Sequence, residues 1–447
     1  MHNPHPANKP ALSGVTVGEA LEAILAQFEP LPVIEVPLAD ALGMVLARDV
    51  ASDMDIPPFD NSSMDGYAVR AADTLGATND HPASLRVTGY LPAGGAPSPG
   101  DMVEPGTAFR IMTGAPIPPG ADAVVRFEDT SEGHTTLAPR ALSDQQPGEV
   151  LIYTGVRAGV NVRSAGGDIH RNDIVLRAGT TIRPGEIGVL ASVGMALVPV
   201  HRRPRVAVLA TGDELVGVDE MPGPGQIRNT NSYAITAQLL SWGAEAFDLG
   251  VARDNRQSLT AKLDEALALE PDLLVTSAGV SVGDYDIVKQ VLMERGTLNM
   301  WRVRIKPGKP LAFGRLNGNA SAGDLRVADR RASVPFLGLP GNPVSSMVTM
   351  ELFGRPAILK MLGKQNLHRL RVSARVVERI ESSPGRENYI RGIVSPEGGE
   401  FTARTTGAQG SEMLTSMSKA NALLVVGENT PYIEAGDFVQ AIMLNEP

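Results

Sequence analysis

Apolar residues recur with two different periods along the chain, and the changes of period divide it. In VTVGEALEAILAQF, residues Val17, Ala20, Leu21, Ile24, Leu25 and Phe28 fall on one helical face, which Pro30 and Pro32 close. PLADALGMVLARDV follows and reads as a second short helix. From Ser52 to about Tyr153 short β-prone runs take over (YAVRA, LRVTGYL, AFRIM, ADAVVRFED, EVLIYTG), separated by Pro/Gly turns as in an all-β module. Residues 158–199 are irregular until PGEIGVLASVG, a helix for which Pro184 suits the first turn.

From Arg205 to about Gly363 strand and helix alternate. The strands RVAVLAT, EAFDLGVA, DLLVTSA and PFLGLP interleave with the helices SYAITAQLLSWG, SLTAKLDEALALE, DIVKQVLMERG and PVSSMVTMELF. Continuous apolar strands mean burial on both faces, so the pattern predicts a doubly wound, mostly parallel α/β sheet. Ligands of such sheets sit beyond the carboxyl ends of the strands, at the loops after RVAVLAT, DLLVTSA and PFLGLP. Beyond Leu370, RLRVSARVVERI, ENYIRGIVS, EFTARTT, ALLVVGE and DFVQAIML predict a small barrel or sandwich. Residues 317–333 are polar and turn-rich, a surface insertion between two strands.

Composition narrows the chemistry. The 447 residues exceed one core and call for two to four domains. With no cysteine, disulfides, iron–sulfur clusters, thiolate zinc sites and cysteine nucleophiles are excluded. A net charge of -10 and 4% aromatic residues argue against nucleic-acid binding but leave room for a local pocket for an anion. The segment MHNPHPANKPALSG lacks the basic and apolar regions of a signal peptide, and no apolar run reaches membrane-span length, so a cytoplasmic protein is expected. The histidines show no metal-ligand spacing, and no Gly-x-Gly-x-x-Gly follows a strand.

The loops carry the candidate chemistry. In TSAGVSVGDYD, Gly279 and Gly283 let backbone amides approach an anion, and Ser277 and Ser281 add hydroxyls. Asp284 and Asp286 there either hold magnesium beside a phosphate or cap the next helix. LPGNPVSSMV runs through Pro340, Gly341 and Pro343 into a helix whose first amides are free for an anion, or is simply a tight turn. WRVRIKPGKPLAFG places Arg302, Arg304 and Lys306 on one strand face, with Lys309 following. Such like charges repel unless an anion is present; a solvated basic edge is the plainer alternative. ATGDEL (Thr211, Asp213, Glu214) and GQIRNTNSYAI (Thr230, Asn231 or Ser232) read as caps. PPFDNSSMDGYAV with Asp60, RIMTGAPIPPGADAVV with Thr113, and GVNVRSAGGDIHRND with Arg163 and Asp168 are polar loops of the first half.

Together, and in this order, PFDNSSMDGYAV, TGAPIPPGADAVV, NVRSAGGD, VAVLATGDEL, GQIRNTN, SAGVSVGDYD, RIKPGKPLAFG and GLPGNPVSS resemble the molybdopterin molybdenumtransferase family, which includes bacterial MoeA and the gephyrin E domain. The resemblance implies four domains: residues 1–50 with 154–200 (elongated and discontinuous), 51–153 (β-rich), 201–365 (α/β, molybdopterin-binding type) and 366–447 (β-barrel). It implies a homodimer in which the partner's second domain closes the cleft, and contact with a molybdopterin adenylyltransferase. Carried over residue by residue, Asp60, Asp286, Glu186 and Lys306 are catalytic candidates. Thr113, Arg163, Asp168, Thr211, Asp213, Asn229, Ser277, Gly279, Ser281, Gly283, Arg302, Lys309, Pro340, Gly341 and Pro343 are substrate-binding candidates, and Asp284 and Asp286 are metal-binding candidates. Asn229 stands where some members carry aspartate, Arg302 where some carry lysine, and Gly167 where an acidic residue often precedes the Asp168 position.

The activity so implied is insertion of molybdate into adenylylated molybdopterin with release of AMP, assisted by magnesium. A molybdopterin adenylyltransferase and a non-catalytic gephyrin-like scaffold are the alternatives. SAGVSVGD departs from the Gly-Gly-Thr-Gly-type loop expected of the former.

Overall fold

A computed structural model describes residues 13–133, 148–278, 287–317 and 333–445. The predicted positions Gly279, Ser281, Gly283, Asp284 and Asp286, and all but the ends of the 317–333 insertion, lie outside the described residues. The chain divides into two compact units: Met1–Arg48, Gly179–Arg183 and Leu197–Pro447 in one, Asp49–Ala178 and Pro184–Ala196 in the other.

The second unit is built on a five-stranded sheet, in spatial order Ala123–Arg126, Gly66–Val69, Thr107–Ile111, Ala83–Leu91 and Glu149–Ile152. These are the runs picked out by period two. Alternate side chains fill cores on opposite faces: Tyr67, Val69 and Val125 in one, Ala68, Ile111 and Val124 in the other. Gly66 is required at its place, because a Cβ there would stand 1.9 Å from the Val125 carbonyl oxygen. The helix Pro184–Ser192 belongs to this unit.

The first unit holds a seven-stranded sheet in the order Ser13–Val15, Gly296–Val303, Pro310–Asn317, Ser333–Leu339, Leu273–Ser277, Arg205–Thr211 and Glu245–Ala252. The last four strands are mutually parallel, and Pro310–Asn317 runs antiparallel to both of its neighbours. Both faces are covered, which is why these strands read as unbroken apolar runs. Val206 and Val208 pack with Ile235, Leu239 and Val348 of helices Asn231–Ser241 and Pro343–Thr349. Ala207 and Leu209 pack with Leu259, Leu263 and Val291 of helices Arg256–Ala268 and Ile287–Arg295.

The first helix forms over Val17–Leu25, started by a capping box in which Thr16 and Glu19 exchange hydrogen bonds. The predicted second helix is replaced by a 3-10 turn at Leu38–Ala41. Gly43 is left-handed, with φ +77°, which a helix cannot continue through. Val45 and Leu46 then form bridges to Thr181 and Val200. Pairing of Val33–Pro37 with Leu197–His201 joins segments too far apart for local pattern to reveal. The predicted helix after Asn342 runs Pro343–Thr349, widens to a π-turn at Met350–Gly354 and resumes over Arg355–Met361.

The remaining strands close a barrel: Glu387–Glu397, Glu400–Thr405, Arg371–Val376, Phe438–Met443 and Ala422–Val426, the last pairing back on the first. Its core is Val376, Ile390, Ala403, Leu424 and Val439 with their neighbours. Among the described residues no helix is long and apolar enough to cross a membrane.

Candidate active site

At the carboxyl edge of the α/β sheet a cleft of about 880 Å³ is lined by Lys306, Lys309, Pro340, Gly341, Asn342, Arg386, Ser411 and Glu412, among others. Lys306 lies in the short strand Ile305–Lys306, where buried Ile305 turns the lysine outward. Its ammonium donates to Ser383 Oγ at 2.6 Å. Gly308 brings the following turn against the helix. Its φ is +109°, and a Cβ would meet Thr349 Oγ1 at 2.7 Å, so no other residue fits without displacement. Lys309 then extends, exposed, beside the cleft. Among the described residues, neither Lys309 nor Arg386 has a side-chain hydrogen bond or ion pair, so both can meet an anion.

The cleft walls are braced by groups that local pattern did not reveal. The Asn231 carboxamide donates to Ser277 Oγ at 2.6 Å and to the Gly341 carbonyl at 2.7 Å, joining three loop ends. Asn342 Nδ2 donates to Ser411 Oγ at 2.8 Å, and the Val344 amide donates to the Ser411 carbonyl at 3.1 Å. The expectation that the first amides after Pro343 all stand free is thereby corrected: the barrel's Ser411 takes one of them. Arg391, only 2% exposed, donates to Ser416 Oγ at 3.1 Å and to the Gly410 carbonyl at 3.1 Å. Its burial lowers the guanidinium below its usual range. That arginine fixes the 409–412 loop from behind. Arg386 and the 409–412 loop could have been suspected only from polar residues in a barrel otherwise patterned for a core.

The other predicted positions of this unit are dispersed. Thr211 is buried at the end of its strand, with no hydrogen-bond partner for its hydroxyl among the described residues. Asp213 accepts from the Asp254 amide at 3.2 Å. Arg302 is exposed on the strand before the lysines and does not line the cleft. Arg302, Arg304 and Lys306 do not form a run of three uncompensated charges, since Arg304 lies 3.3 Å from Glu428. The cap reading of GQIRNTNSYAI is also corrected. Thr230 makes no side-chain cap bond, whereas Asn229 Oδ1 accepts from the Ser232 amide at 3.2 Å and Asn229 Nδ2 donates to Ser232 Oγ at 2.9 Å.

In the other unit Asp60, Thr113, Arg163 and Asp168 converge on one loop cluster. Asp60 Oδ1 accepts from the Ala165 amide at 2.8 Å, and its carbonyl accepts from Ile117 at 2.9 Å. Thr113 donates to Asp65 through amide and hydroxyl, at 2.7 and 2.8 Å. Arg163 pairs with Asn61 across two short strands, and the Asp168 amide donates to the Ile56 carbonyl at 3.0 Å. Asp60, Thr113, Arg163 and Asp168 are exposed. Glu186 lies in the first turn of the Pro184–Ser192 helix.

A cleft of about 960 Å³ opens at the opposite, amino-terminal edge of the α/β sheet. Both of its arginines are engaged: Arg202 by Asp272, through hydrogen bonds of 2.6 and 2.7 Å, and Arg315 by the Ser333 hydroxyl and carbonyl, at 2.8 and 2.7 Å. The smaller cleft has the unpaired cations, and chemistry rather than size singles it out for an anionic ligand.

An α/β sheet with a cationic cleft at its carboxyl edge, joined to a closed barrel, defines the class: a multidomain protein built around a molybdopterin-binding type of domain. Residues 207–360 match the family described as "Probable molybdopterin binding domain". Residues 15–194 match "MoeA N-terminal region (domain I and II)", and residues 373–444 match "MoeA C-terminal region (domain IV)". The chain is 36% identical over 415 residues to molybdopterin molybdenumtransferase 2 of Mycobacterium tuberculosis, covering 91% of this chain and 94% of that one. It is 34% identical over 429 residues to the molybdopterin molybdenumtransferase of Haemophilus influenzae, covering 95% and 97%. The crystal structure of molybdopterin biosynthesis MoeA protein from Pyrococcus horikoshii OT3 superposes with a TM-score of 0.74 at 29% identity, over 96% of this chain and 100% of that one. The chain belongs to the molybdopterin molybdenumtransferase (MoeA) family.

Proposed function

We propose that the protein is a molybdopterin molybdenumtransferase that inserts molybdate into adenylylated molybdopterin and releases AMP. The observation that carries the reading is the carboxyl-edge cleft, where Lys306, Lys309 and Arg386 gather cations in a protein of net charge -10. Cleaving a phosphoanhydride consumes one water and develops charge on phosphate oxygens. Fixed cations stabilise that charge, each such contact by about 3 kcal/mol in the transition state. Lys306 and Lys309 would hold phosphate oxygens or molybdate, and Arg386 would offer two parallel donors to a second oxyanion. Asn231 and the Pro340–Gly341 turn would keep the floor of the cleft in register.

Asp60, Glu186 and Asp286 remain catalytic proposals, and Thr113, Arg163, Asp168, Ser277, Gly279, Ser281, Gly283 and Pro343 remain substrate-binding ones. Asp284 and Asp286 are the proposed magnesium ligands, and a divalent ion there would neutralise phosphate oxygens. Among the described residues no group of three or more His, Asp or Glu side chains could hold a metal ion. The homodimer and the contact with an adenylyltransferase rest on family resemblance, and the cytoplasmic location on the lack of a signal-peptide pattern or membrane-length apolar run in the sequence. The test is to incubate purified protein with adenylylated molybdopterin and molybdate. Molybdate-dependent AMP release supports the reading. Formation of adenylylated pterin from ATP and molybdopterin, with no AMP release, overturns it in favour of the adenylyltransferase.

A further inference from the structure

In the first unit a separate cavity of about 580 Å³ is lined by Thr181, Arg355, Lys364, Asn366, Arg369 and Asn445, among others. It shares no lining residue with the carboxyl-edge cleft. One carboxylate stands behind it, Glu351, buried at 6% exposure. That carboxylate is engaged by Arg369, whose Nε and Nη2 donate to its two oxygens at 2.8 and 3.3 Å. Arg355 Nε lies 3.6 Å from the same carboxylate, too far for a hydrogen bond, and is buried with no hydrogen-bond partner among the described residues. Its Nη1 reaches the Leu367 carbonyl at 3.2 Å. Lys364 has no side-chain hydrogen bond or ion pair among the described residues. Among the described residues, three cations against one carboxylate leave two positive charges facing one cavity.

Half-buried cations that outnumber their counter-ion oppose folding, because each loses hydration and they repel one another. Burial first, and a neighbouring arginine second, hold both Arg355 and Lys364 below their ordinary values. A solvated surface pair would not carry this cost. We propose that the cavity is a second anion site, taking a doubly charged tetrahedral oxyanion of the phosphate, sulfate or molybdate class between Arg355 and Lys364. The two charges match the surplus, the arginine fork suits two oxygens and the lysine one. The Thr181 hydroxyl and the Asn366 and Asn445 carboxamides add neutral donors around a ligand that size.

The experiment is thermal melting and calorimetric titration of the full chain with phosphate, sulfate and molybdate, against chloride at matched ionic strength. At least one oxyanion should raise the melting temperature of wild type and of Lys309→Ala alike, which separates this site from the carboxyl-edge cleft. Lys364→Met should melt higher than wild type in chloride and bind that oxyanion at least about tenfold more weakly, the loss of one charge-assisted contact. Arg355→Gln serves as the second variant should Lys364→Met not fold. The oxyanion that binds most tightly names the ligand. Absence of any oxyanion response in wild type, an undiminished response in Lys364→Met and Arg355→Gln, or loss of the response in Lys309→Ala overturns the proposal.

Discussion

Asn231 Nδ2 donates to the Gly341 carbonyl at 2.7 Å, fastening the start of one helix to the turn that begins another. The same carboxamide reaches Ser277, so one side chain sets the spacing of loops that follow two parallel strands. Asn231→Ala removes both contacts. A melting temperature lowered by the equivalent of about 1–2 kcal/mol is expected, together with a raised KM for the pterin substrate. Steady-state kinetics and thermal denaturation check it; an unchanged KM would sever the brace from binding.

Arg386→Ala should lower molybdate-dependent AMP release by roughly 10²-fold, since one charge-stabilising contact contributes about 3 kcal/mol. Arg386→Lys should recover only part of that loss, because a lysine offers no planar fork. Turnover measured for both variants decides whether geometry or charge alone matters. Wild-type rates in both would reduce the residue to a bystander.

Asp286→Ala should abolish magnesium-dependent AMP release while circular dichroism and melting stay those of a folded protein. Magnesium titration of turnover in the variant is the measurement. Wild-type-like response to magnesium would refute the metal assignment.

Asn229 illustrates how a cap and a substrate-binding group can be told apart. Its carboxamide accepts from the Ser232 amide, a helix-starting contact worth about 1 kcal/mol. Asn229→Ala should lose about that much stability, whereas Asn229→Asp keeps the acceptor and should retain turnover. A collapse of turnover in Asn229→Ala at conserved stability would return the residue to the substrate.

Lys364 gives a pH signature. Its ammonium is held below the ordinary 10.5, chiefly by burial and then by Arg355. Below the depressed folded value both states are protonated and the cost to the fold is complete. As pH rises from that value toward 10.5 the unfolded chain binds more protons, so stability increases. The stability advantage of Lys364→Met over wild type should therefore shrink across that window. Chemical denaturation at stepped pH measures it, and a constant advantage contradicts the assigned burial.

Much of the architecture was legible because it depends on local periodicity. The unbroken apolar runs RVAVLAT and DLLVTSA became central parallel strands, and the β-prone runs of the first half became one sheet. PLADALG misled because its helical spacing is local, whereas Val45 and Leu46 find their partners at Thr181 and Val200. Within the candidate site, Lys306, Lys309 and the Pro340–Gly341 turn could be read from one stretch and one motif. Arg386 and Ser411 could not, since they reach the cleft from the barrel, about eighty to a hundred residues from the lysines, nor could the buried Arg391 behind them, because no short-range pattern carries such a distance.

The segment bearing the cations passes from one sheet into another. Arg302 sits opposite Pro310 in the large sheet, while Ile305 and Lys306 pair with Glu387 and Asn388 at the rim of the barrel. The barrel is therefore a splint for the lysine and not an appendage. Truncating the chain before Arg371 would strip Ile305 and Lys306 of the strand they pair with, so the minimal working fragment must extend through the last barrel strand.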